Sequence, residues 1–302
     1  MIRRSAGYRP RVLVVYKKSA FQRFVKERRN RRVARLLEQG DPVVARFLSA
    51  HEAHARTIEQ AREVLKELGA RTSFRYLKTK GRMEGYDLVL TLGGDGTFLW
   101  ASHVVGPETP MLGVNTAPAD SVGYFCAAHP ATLGEVLERA MEGRLERTRL
   151  TRMQVAVDGR VISRRVLNDA LFSALCPAET SRYILELGAV SEEQKSSGIW
   201  IGPAAGSTAA QSSAGGRVLP IRSQRLQWVV REPYPTNDVP YHLAKGLFGG
   251  EQVLRIRNKT PESRLYLDGP HREHRVLLGA VVEMFRSPEP LLLLGRPRAR
   301  TR

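Results

Sequence analysis

The strongest constraint on the fold is a glycine-rich sequence that directly follows an apolar segment. The run Asp87–Leu92 is dominated by leucine and valine and continues into Gly93-Gly94-Asp95-Gly96-Thr97. A short apolar run of this kind predicts a buried strand, and Phe98–Val105 predicts a helix after it. Consecutive glycines let the backbone turn sharply and present N–H groups to a phosphate. We therefore expect an anion-binding loop at the edge of a parallel sheet where ligands bind.

Asp95 is an unusual residue for a loop that binds phosphate, because its carboxylate repels an anion. It is suited to act as a general base toward a hydroxyl group, or as a partner of phosphate-bound Mg²⁺. The alternative is a tight glycine turn that carries a solvated aspartate. The strand–loop–helix context favours the functional interpretation.

The first half of the chain alternates between predicted strands and helices. Arg11–Tyr16, Ser73–Leu77 and Met111–Val114 predict strands. The segment His51–Leu68 has apolar residues at helical spacing, and Gly69 follows it as a stop signal. This βαβ alternation predicts a mostly parallel sheet covered by helices, a Rossmann-like domain.

The second half instead contains short predicted strands separated by turns. Apolar residues alternate over Met153–Val157 up to Asp158-Gly159, a hairpin signal. Five later segments continue the same rhythm: Tyr183–Leu187, Leu226–Val230, Gln252–Ile256, Arg264–Leu267 and Val276–Met284. This half is predicted to be β-rich.

The predicted fold class is therefore α/β plus β-rich. Residues 8–147 form the predicted α/β domain, and residues 148–285 form the β-rich domain. A last strand around Leu291–Leu294, within 286–296, is expected to return to the first domain. No apolar run approaches the roughly 20 residues that cross a bilayer.

The chain is strongly basic, with 48 Lys+Arg against 30 Asp+Glu and a formal charge of +18. Such a balance attracts polyanions. The basic side chains concentrate in 17–35 and in the tail 296–302, and we interpret them as a solvated basic helix and a tail. Because no nucleic-acid recognition motif accompanies them, neither a nucleic-acid nor a membrane partner is expected.

The remaining candidate metal and redox residues are few. Cys126 and Cys176 form neither a disulfide framework nor a zinc pattern, which predicts a reduced, cytoplasmic compartment. His51 and His54 lie one helical turn apart without a third ligand, so they predict a solvated helix face. No protein-bound metal is expected.

The pentapeptide Gly93–Thr97 resembles a motif shared by NAD kinases, diacylglycerol-type lipid kinases and 6-phosphofructokinases. Lipid kinases usually continue with Asn-Glu-Val, whereas this chain continues with Phe98-Leu99-Trp100. Two further blocks favour the NAD kinases. Leu167-Asn168-Asp169 resembles their Asn-Glu pair, and the small-residue blocks 197–199, 206–209 and 213–216 resemble their dinucleotide loop. The chain is thus similar to the NAD kinase family, and most to its mitochondrial-type branch. Asp268-Gly269 matches a late Asp-Gly of the same family.

The resemblance implies transfer of a phosphoryl group from ATP–Mg²⁺ to the 2′-hydroxyl of the adenosine ribose of NAD, giving NADP. Asp95 would take the ribose proton, and Mg²⁺ would arrive on the ATP phosphates. NAD would lie in a cleft between the domains of a homo-oligomer, a dimer or a tetramer. The residues implied to bind the nucleotides are Gly93, Gly94, Gly96, Thr97, Asn115, Tyr124, Phe125, Asn168, Asp169, Ser207, Thr208, Ala209 and Ser213.

The sequence also departs from the family pattern and leaves alternatives open. Ser197 replaces an aspartate, Ala210 replaces a common tyrosine, and Pro203-Ala204-Ala205 replaces Thr-Pro-Thr. Asp169 is one methylene shorter than the usual glutamate. The alternatives are a lipid or sphingoid kinase of the same superfamily and a non-catalytic nucleotide-binding homologue.

Overall fold

A computed structural model of the protein describes residues 7–77, 84–235 and 240–297. Contacts between Cα atoms divide the chain into two compact units. The first unit combines the chain up to Thr148 with the segment from Leu292 onward, and the second unit spans Arg149–Leu291. Each unit has a hydrophobic core of its own.

The first unit is built on a sheet of seven strands in the described part of the chain. These strands are β1 (Arg11–Tyr16), β2 (Arg71–Tyr76), β3 (Leu88–Gly93), β4 (Pro110–Asn115), β5 (Cys126–Ala128), β6 (Arg147–Leu150) and β19 (Leu291–Leu294). Their order is β2-β1-β3-β4-β19-β6, with β5 paired to β4. The pairs β1–β2, β1–β3, β3–β4, β4–β5 and β4–β19 are all parallel.

The first unit also contains helices. They are a π-helical turn (Gln22–Glu27), α1 (Arg31–Glu38), α2 (Phe47–Glu67), α3 (Asp95–Ser102), a 3₁₀ turn (Pro130–Thr132) and α4 (Leu133–Met141). Ala61 and Leu65 of α2 and Leu137 of α4 are fully buried beside the strands in one apolar cluster. Among the described helices, none combines the length and the apolar character needed to span a membrane.

The second unit is an antiparallel sandwich. Its strands are β7 (Met153–Val157), β8 (Arg160–Val166), β9 (Ala170–Ala174), β10 (Ser181–Leu187), β11 (Val190–Ser196), β12 (Ile199–Pro203), β13 (Leu226–Val230), β14 (Lys245–Phe248), β15 (Leu254–Asn258), β16 (Glu262–Leu267), β17 (Glu273–Leu277) and β18 (Val281–Arg286). One sheet has the order β11-β10-β15-β18-β7-β8, and the other has β14-β13-β12-β9-β16-β17. A 3₁₀ turn (Ala204–Gly206) and the short α5 (Ala210–Ser213) follow β12.

The two sheets of the second unit share one apolar core. Phe172 of β9 and Tyr183 of β10 come from different sheets, and their rings meet edge to face with centroids 5.6 Å apart. Both side chains are fully buried. The predicted fold class, an α/β part followed by a β-rich part, is confirmed, and β19 joins the first sheet as expected.

The predicted and observed elements differ at two glycines. The helix expected at Phe98 begins at Asp95, because Gly94 is extended and its carbonyl accepts the N–H groups of Thr97 and Phe98. The strand expected over Val276–Met284 is two strands in different sheets, since Gly279 turns the chain at φ +81°. The hairpin predicted at Asp158-Gly159 is present, and both residues have the positive φ of a primed turn.

The basic segment 17–35 is interrupted rather than a single helix. Arg29 has a φ of +47°, and the side chain of Asn30 caps the N-terminus of α1. Neither the π-helical turn nor α1 contains a buried residue. In the basic tail, Arg296 pairs with Glu146, whereas the tail from residue 298 lies outside the described residues.

Candidate functional site

The glycine-rich loop lies where β3 ends, at the carboxyl edge of the parallel sheet. Gly93 is in register with Asn115 of β4, and its carbonyl accepts the N–H of Thr116 at 3.0 Å. A Cβ on Gly93 would lie 2.2 Å from Oγ1 of Thr97, so only glycine fits this position. That Oγ1 is buried and has no hydrogen-bond partner in the described structure. The loop therefore holds a buried hydroxyl directly beside the first turn of α3.

Asp95 is the first residue of α3 and is half-buried. Its Oδ2 accepts the backbone N–H of Tyr124 at 2.9 Å, and its Oδ1 accepts that of Phe125 at 2.9 Å. These two bonds fix the plane of the carboxylate. Each carboxylate oxygen retains a second lone pair that can accept another proton.

Asn115 shapes the loop that follows β4. It is fully buried, its Nδ2 donates to the carbonyl of Ser121, and its Oδ1 accepts from Ala117 N–H and Ser121 Oγ. Gly123 has a φ of +62°, and a Cβ there would lie 2.5 Å from Nδ2 of Asn115. The amide of Asn115 thus binds its own loop, and its contact with a nucleotide stays a prediction.

The two aromatic residues after Gly123 are buried. The ring of Phe125 stacks on that of Phe98, with centroids 5.1 Å apart, and Tyr124 meets Phe125 edge to face at 5.0 Å. Their backbone N–H groups hold Asp95, while their rings pack in the interior. Their predicted role beside a nucleotide therefore remains a prediction.

His54 is a residue whose role the sequence did not reveal. It is buried, with Nε2 2.8 Å from the carbonyl of Lys17 and Nδ1 2.9 Å from Oγ1 of Thr116. A carbonyl only accepts, so Nε2 carries the proton and Nδ1 accepts from Thr116. Burial lowers the pKa of His54, which keeps the ring neutral. The neutral imidazole ties α2 to the segments that follow β1 and β4.

The expectation of a solvated face for both histidines is wrong for His54. His51 is half-exposed and lies between Ser19 Oγ and Lys26 Nζ, at 2.9 and 3.3 Å from its ring nitrogens. Within the described ranges, no cluster of three or more histidine, cysteine or acidic side chains could hold a metal ion.

In the second unit, Asn168 and Asp169 connect β8 to β9 and are organised by Asp268. The Asp268 carboxylate accepts the backbone N–H of Leu167 at 2.8 Å, of Asn168 at 2.6 Å and of Asp169 at 3.1 Å. Asp268 has a φ of +51°, and its own N–H donates to the carbonyl of Asp169. The late Asp-Gly signal therefore marks the residue that shapes the Asn-Asp pair.

Asp169 is buried, with 7% of the residue exposed. Burial raises its pKa to about 7, and the negative charge of Asp268 adds to the effect. Near neutral pH this carboxyl group populates both protonation states. It is able to donate a hydrogen bond to a hydroxyl group or to accept one from it.

A chain of buried amides lies against Asn168. Gln211 Nε2 donates to the Asn168 carbonyl at 3.1 Å, and Gln227 Nε2 donates to Gln211 Oε1 at 3.0 Å. Both glutamines are buried. A Cβ on Gly206 would lie 1.7 Å from the same carbonyl, so the turn Ala204–Gly206 packs directly on Asn168. The sequence shows no signal for either glutamine, because glutamine is common on exposed surfaces.

The remaining predicted residues follow this turn. Ser207 is fully buried, its Oγ donates to the Ala204 carbonyl at 2.7 Å, and it accepts the Leu219 N–H at 2.9 Å. Its hydroxyl thus stabilises the turn itself. Thr208 and Ala209 are half-buried, and Ser213 is exposed. These three residues are therefore more accessible than Ser207, although the Thr208 hydroxyl oxygen is itself buried.

Comparisons with known proteins identify relatives of this chain. A model of the ATP-NAD kinase N-terminal domain matches residues 12–145. A probable NADH kinase of Oryza sativa subsp. japonica is 32% identical over 288 residues, covering 86% of this chain and 87% of that protein. An NADH kinase of Arabidopsis thaliana is 34% identical over 220 residues, covering 66% and 69%.

A solved structure shares the fold. An NAD kinase from Archaeoglobus fulgidus in complex with ATP matches with a TM-score of 0.68 at 19% identity, over 95% of this chain and 94% of the other. The family model and the kinase names of both plant relatives, together with this fold, identify the chain as a phosphotransferase. Because the rice relative is more than 30% identical across most of both proteins, the chain belongs to the NAD kinase family.

Proposed function

We propose that this chain transfers the γ-phosphoryl group of ATP–Mg²⁺ to the 2′-hydroxyl of the adenosine ribose of NAD and of NADH. The observation that carries the proposal is the position of Asp95, fixed by two backbone N–H groups at the first turn after the glycine loop. NADH is included because both plant relatives are named as NADH kinases. Mg²⁺ enters as part of the nucleotide substrate.

In this reaction the 2′-oxygen attacks the γ-phosphorus, and the bond between the γ-phosphorus and its bridging oxygen breaks. ADP leaves, and Asp95 accepts the hydroxyl proton. Phosphoryl transfer depends mainly on positioning and charge neutralisation. The backbone N–H groups of the glycine loop contribute to both by facing the phosphates, with Gly93, Gly94, Gly96 and Thr97 as the proposed contacts.

The second unit supplies the proposed dinucleotide contacts. The half-exposed amide of Asn168 presents a donor and an acceptor, which suits a ribose diol. Asp169 adds a carboxyl group that is able to donate or to accept a hydrogen bond. Thr208, Ala209 and Ser213 form the small-residue surface proposed to face the dinucleotide. Asn115, Tyr124, Phe125 and Ser207 complete the proposed set, although in this structure their polar groups or rings serve the protein interior.

Three further properties are part of the proposal. The family resemblance supports a homo-oligomer, which light scattering on the purified protein would measure. The free cysteines, Cys126 and Cys176, are in keeping with a reduced compartment and so support a cytoplasmic location. Functionally, residues 8–147 with 286–296 would handle ATP, and residues 148–285 would bind the dinucleotide.

The test is production of NADP(H) from NAD or NADH with ATP–Mg²⁺ by wild type and by Asp95→Asn. We expect the variant to lose at least about 1000-fold in kcat while still binding NADH. An asparagine amide would place its NH₂ against one of the two backbone N–H groups, so a cost of about 1–3 kcal/mol is also expected. The activity is measured well below the melting temperature of the variant, so that a loss of turnover does not reflect unfolding.

The matched control is Asp120→Asn, since Asp120 is exposed and its carboxylate forms a surface ion pair with Arg46. It should keep both activity and stability. Near wild-type turnover by Asp95→Asn would contradict the proposed base. Absence of product from the wild-type protein with every donor would favour the non-catalytic homologue instead.

A further inference from the structure

The second unit contains a basic cavity of about 470 Å³ apart from the residues proposed to bind NAD. Three cationic side chains line it, namely Arg217, Arg225 and Lys245. The rest of its wall is formed by Gly216, Gln227, Gly246 and Leu247. The described lining thus includes no acidic side chain. A cavity of this size is in the range that takes a small-molecule ligand.

The cations are placed on a framework of fixed backbone groups. Arg225 donates to the carbonyl of Leu247 at 3.3 Å, and Lys245 donates to that of Gly215 at 3.3 Å. Each cation keeps further N–H groups for another acceptor, since a guanidinium has five and an ammonium three. Guanidinium groups match the geometry of phosphate oxygens.

The wall of the cavity is connected to Asn168 by hydrogen bonds. Gln227 Oε1 accepts the backbone N–H of Arg217 at 2.7 Å, and its Nε2 donates to Gln211, which in turn donates to the Asn168 carbonyl. A Cβ on Gly216 would lie 2.7 Å from Gln227 Nε2, so glycine is needed for the amide chain to pass. Movement of Arg217 toward an anion would therefore pull, through Gln227, on the Gln211 amide that donates to the Asn168 carbonyl.

We infer that this cavity binds an oligophosphate anion and that its occupancy changes the affinity of the chain for the dinucleotide through the Gln227–Gln211 amides. The shared chemistry is a chain of phosphates, either inorganic or carried by a nucleotide. The binding site itself does not depend on the proposed reaction, whereas the coupling rests on Asn168 being a dinucleotide contact. The two parts are therefore measured separately.

Binding is tested by titration calorimetry of the full chain with inorganic tripolyphosphate. Since a phosphate loop also binds such an anion, the double variant Arg217→Gln/Arg225→Gln isolates the cavity. We expect it to lose one binding event or at least about tenfold in affinity. Arg160→Gln, an exposed arginine in the other sheet, removes the same kind of charge and should change nothing. Equal behaviour of the double variant and the control, with both folded by circular dichroism, would overturn the site.

Competition with ADP distinguishes an inorganic phosphate chain from one that a nucleotide carries. Displacement of the cavity-bound tripolyphosphate by ADP assigns a nucleotide ligand, and no displacement assigns an inorganic one; both support the site. The coupling is tested by NADH fluorescence titration with and without tripolyphosphate. We expect a change of at least about threefold in the NADH Kd that disappears in the double variant. An unchanged Kd in wild type would overturn the coupling while leaving the proposed kinase activity untouched.

Discussion

The carboxylate of Asp268 accepts the backbone N–H of Asn168 at 2.6 Å, although 100 residues separate the two in sequence. The same carboxylate also holds the N–H groups on either side, those of Leu167 and Asp169. The backbone of the Asn-Asp pair thus takes its shape from the side chain of a residue that is distant in sequence.

Asp268→Asn should destabilise the protein by about 2–3 kcal/mol, because three N–H groups lose a charged acceptor. The NAD KM should rise more than kcat falls, since the variant misplaces a binding segment. Urea unfolding and steady-state kinetics measure the two effects. The surface variant Asp120→Asn serves again as the control. An unchanged NAD KM in a destabilised Asp268→Asn would contradict the positioning role.

Gly206→Ala should severely destabilise the second unit. The new Cβ would stand 1.7 Å from the Asn168 carbonyl, and backbone rather than a flexible side chain would have to move. We expect a loss of more than about 3 kcal/mol or failure to fold, as for other large steric errors in a core. Gly249→Ala is the matched control, because its nearest neighbours would be 3.5 Å away. Similar melting temperatures for the two variants would refute the close approach.

Asp169 gives a stability that falls as pH rises. Its folded pKa of about 7 lies above the ordinary 3.8, so the folded state holds a proton that the unfolded state releases between these values. The difference corresponds to about 4 kcal/mol, lost progressively between about pH 4 and pH 7. Asp169→Asn should remove this loss, so its advantage over wild type grows across that range and stays constant above it. Urea unfolding at pH 5, 6 and 8 measures the difference, and a pH-independent one would contradict it.

The contribution of His54 to stability changes with pH in the opposite direction. Burial lowers its folded pKa below the ordinary 6.5, so acid must protonate the unfolded state first. Its contribution is complete above about pH 6.5 and decreases as the pH falls below that value. His54→Gln should flatten this part of the pH dependence, whereas His271→Gln, at an exposed position, should not. Parallel pH curves for wild type and His54→Gln would show that the buried ring has no such effect.

Local sequence patterns predicted the elements that position the glycine loop, namely β3, α3 and β4, but not β9 and β12, which flank the site residues of the second unit. The glycine loop was recognised because its apolar strand and its glycines are adjacent in sequence. The start of α3 at Asp95 was not predicted, because glycine, here Gly96, has a low helix propensity. Here the extended Gly94 and the bonds to its carbonyl decide where the helix begins.

The contacts that organise the site come from residues far apart in sequence and could not be predicted in the same way. Gln211 and Gln227 gain their role only when β12 and β13 pair and bury them. His54 was expected at a solvated surface. Helical spacing shows on which face of α2 the residue lies, but it does not show which other segments cover that face. The apolar pattern over 276–284 predicted one strand, whereas Gly279 separates β17 from β18. The positive φ of +81° at Gly279 could not be predicted, because the glycine itself is the only sign of it in the sequence.

The placement of β19 has a consequence for how the protein is made. This strand, Leu291–Leu294, lies between β4 and β6 in the first sheet. A ribosome delivers it only after every residue of the second unit has been synthesised. Until then the Pro110–Met111 part of β4 has an open edge, since β5 pairs with the later residues Gly113 and Val114, and β6 lacks its neighbour in the sheet. The first unit, whose synthesis begins first, is therefore completed last. During synthesis of the second unit, the nascent first unit carries an exposed strand edge.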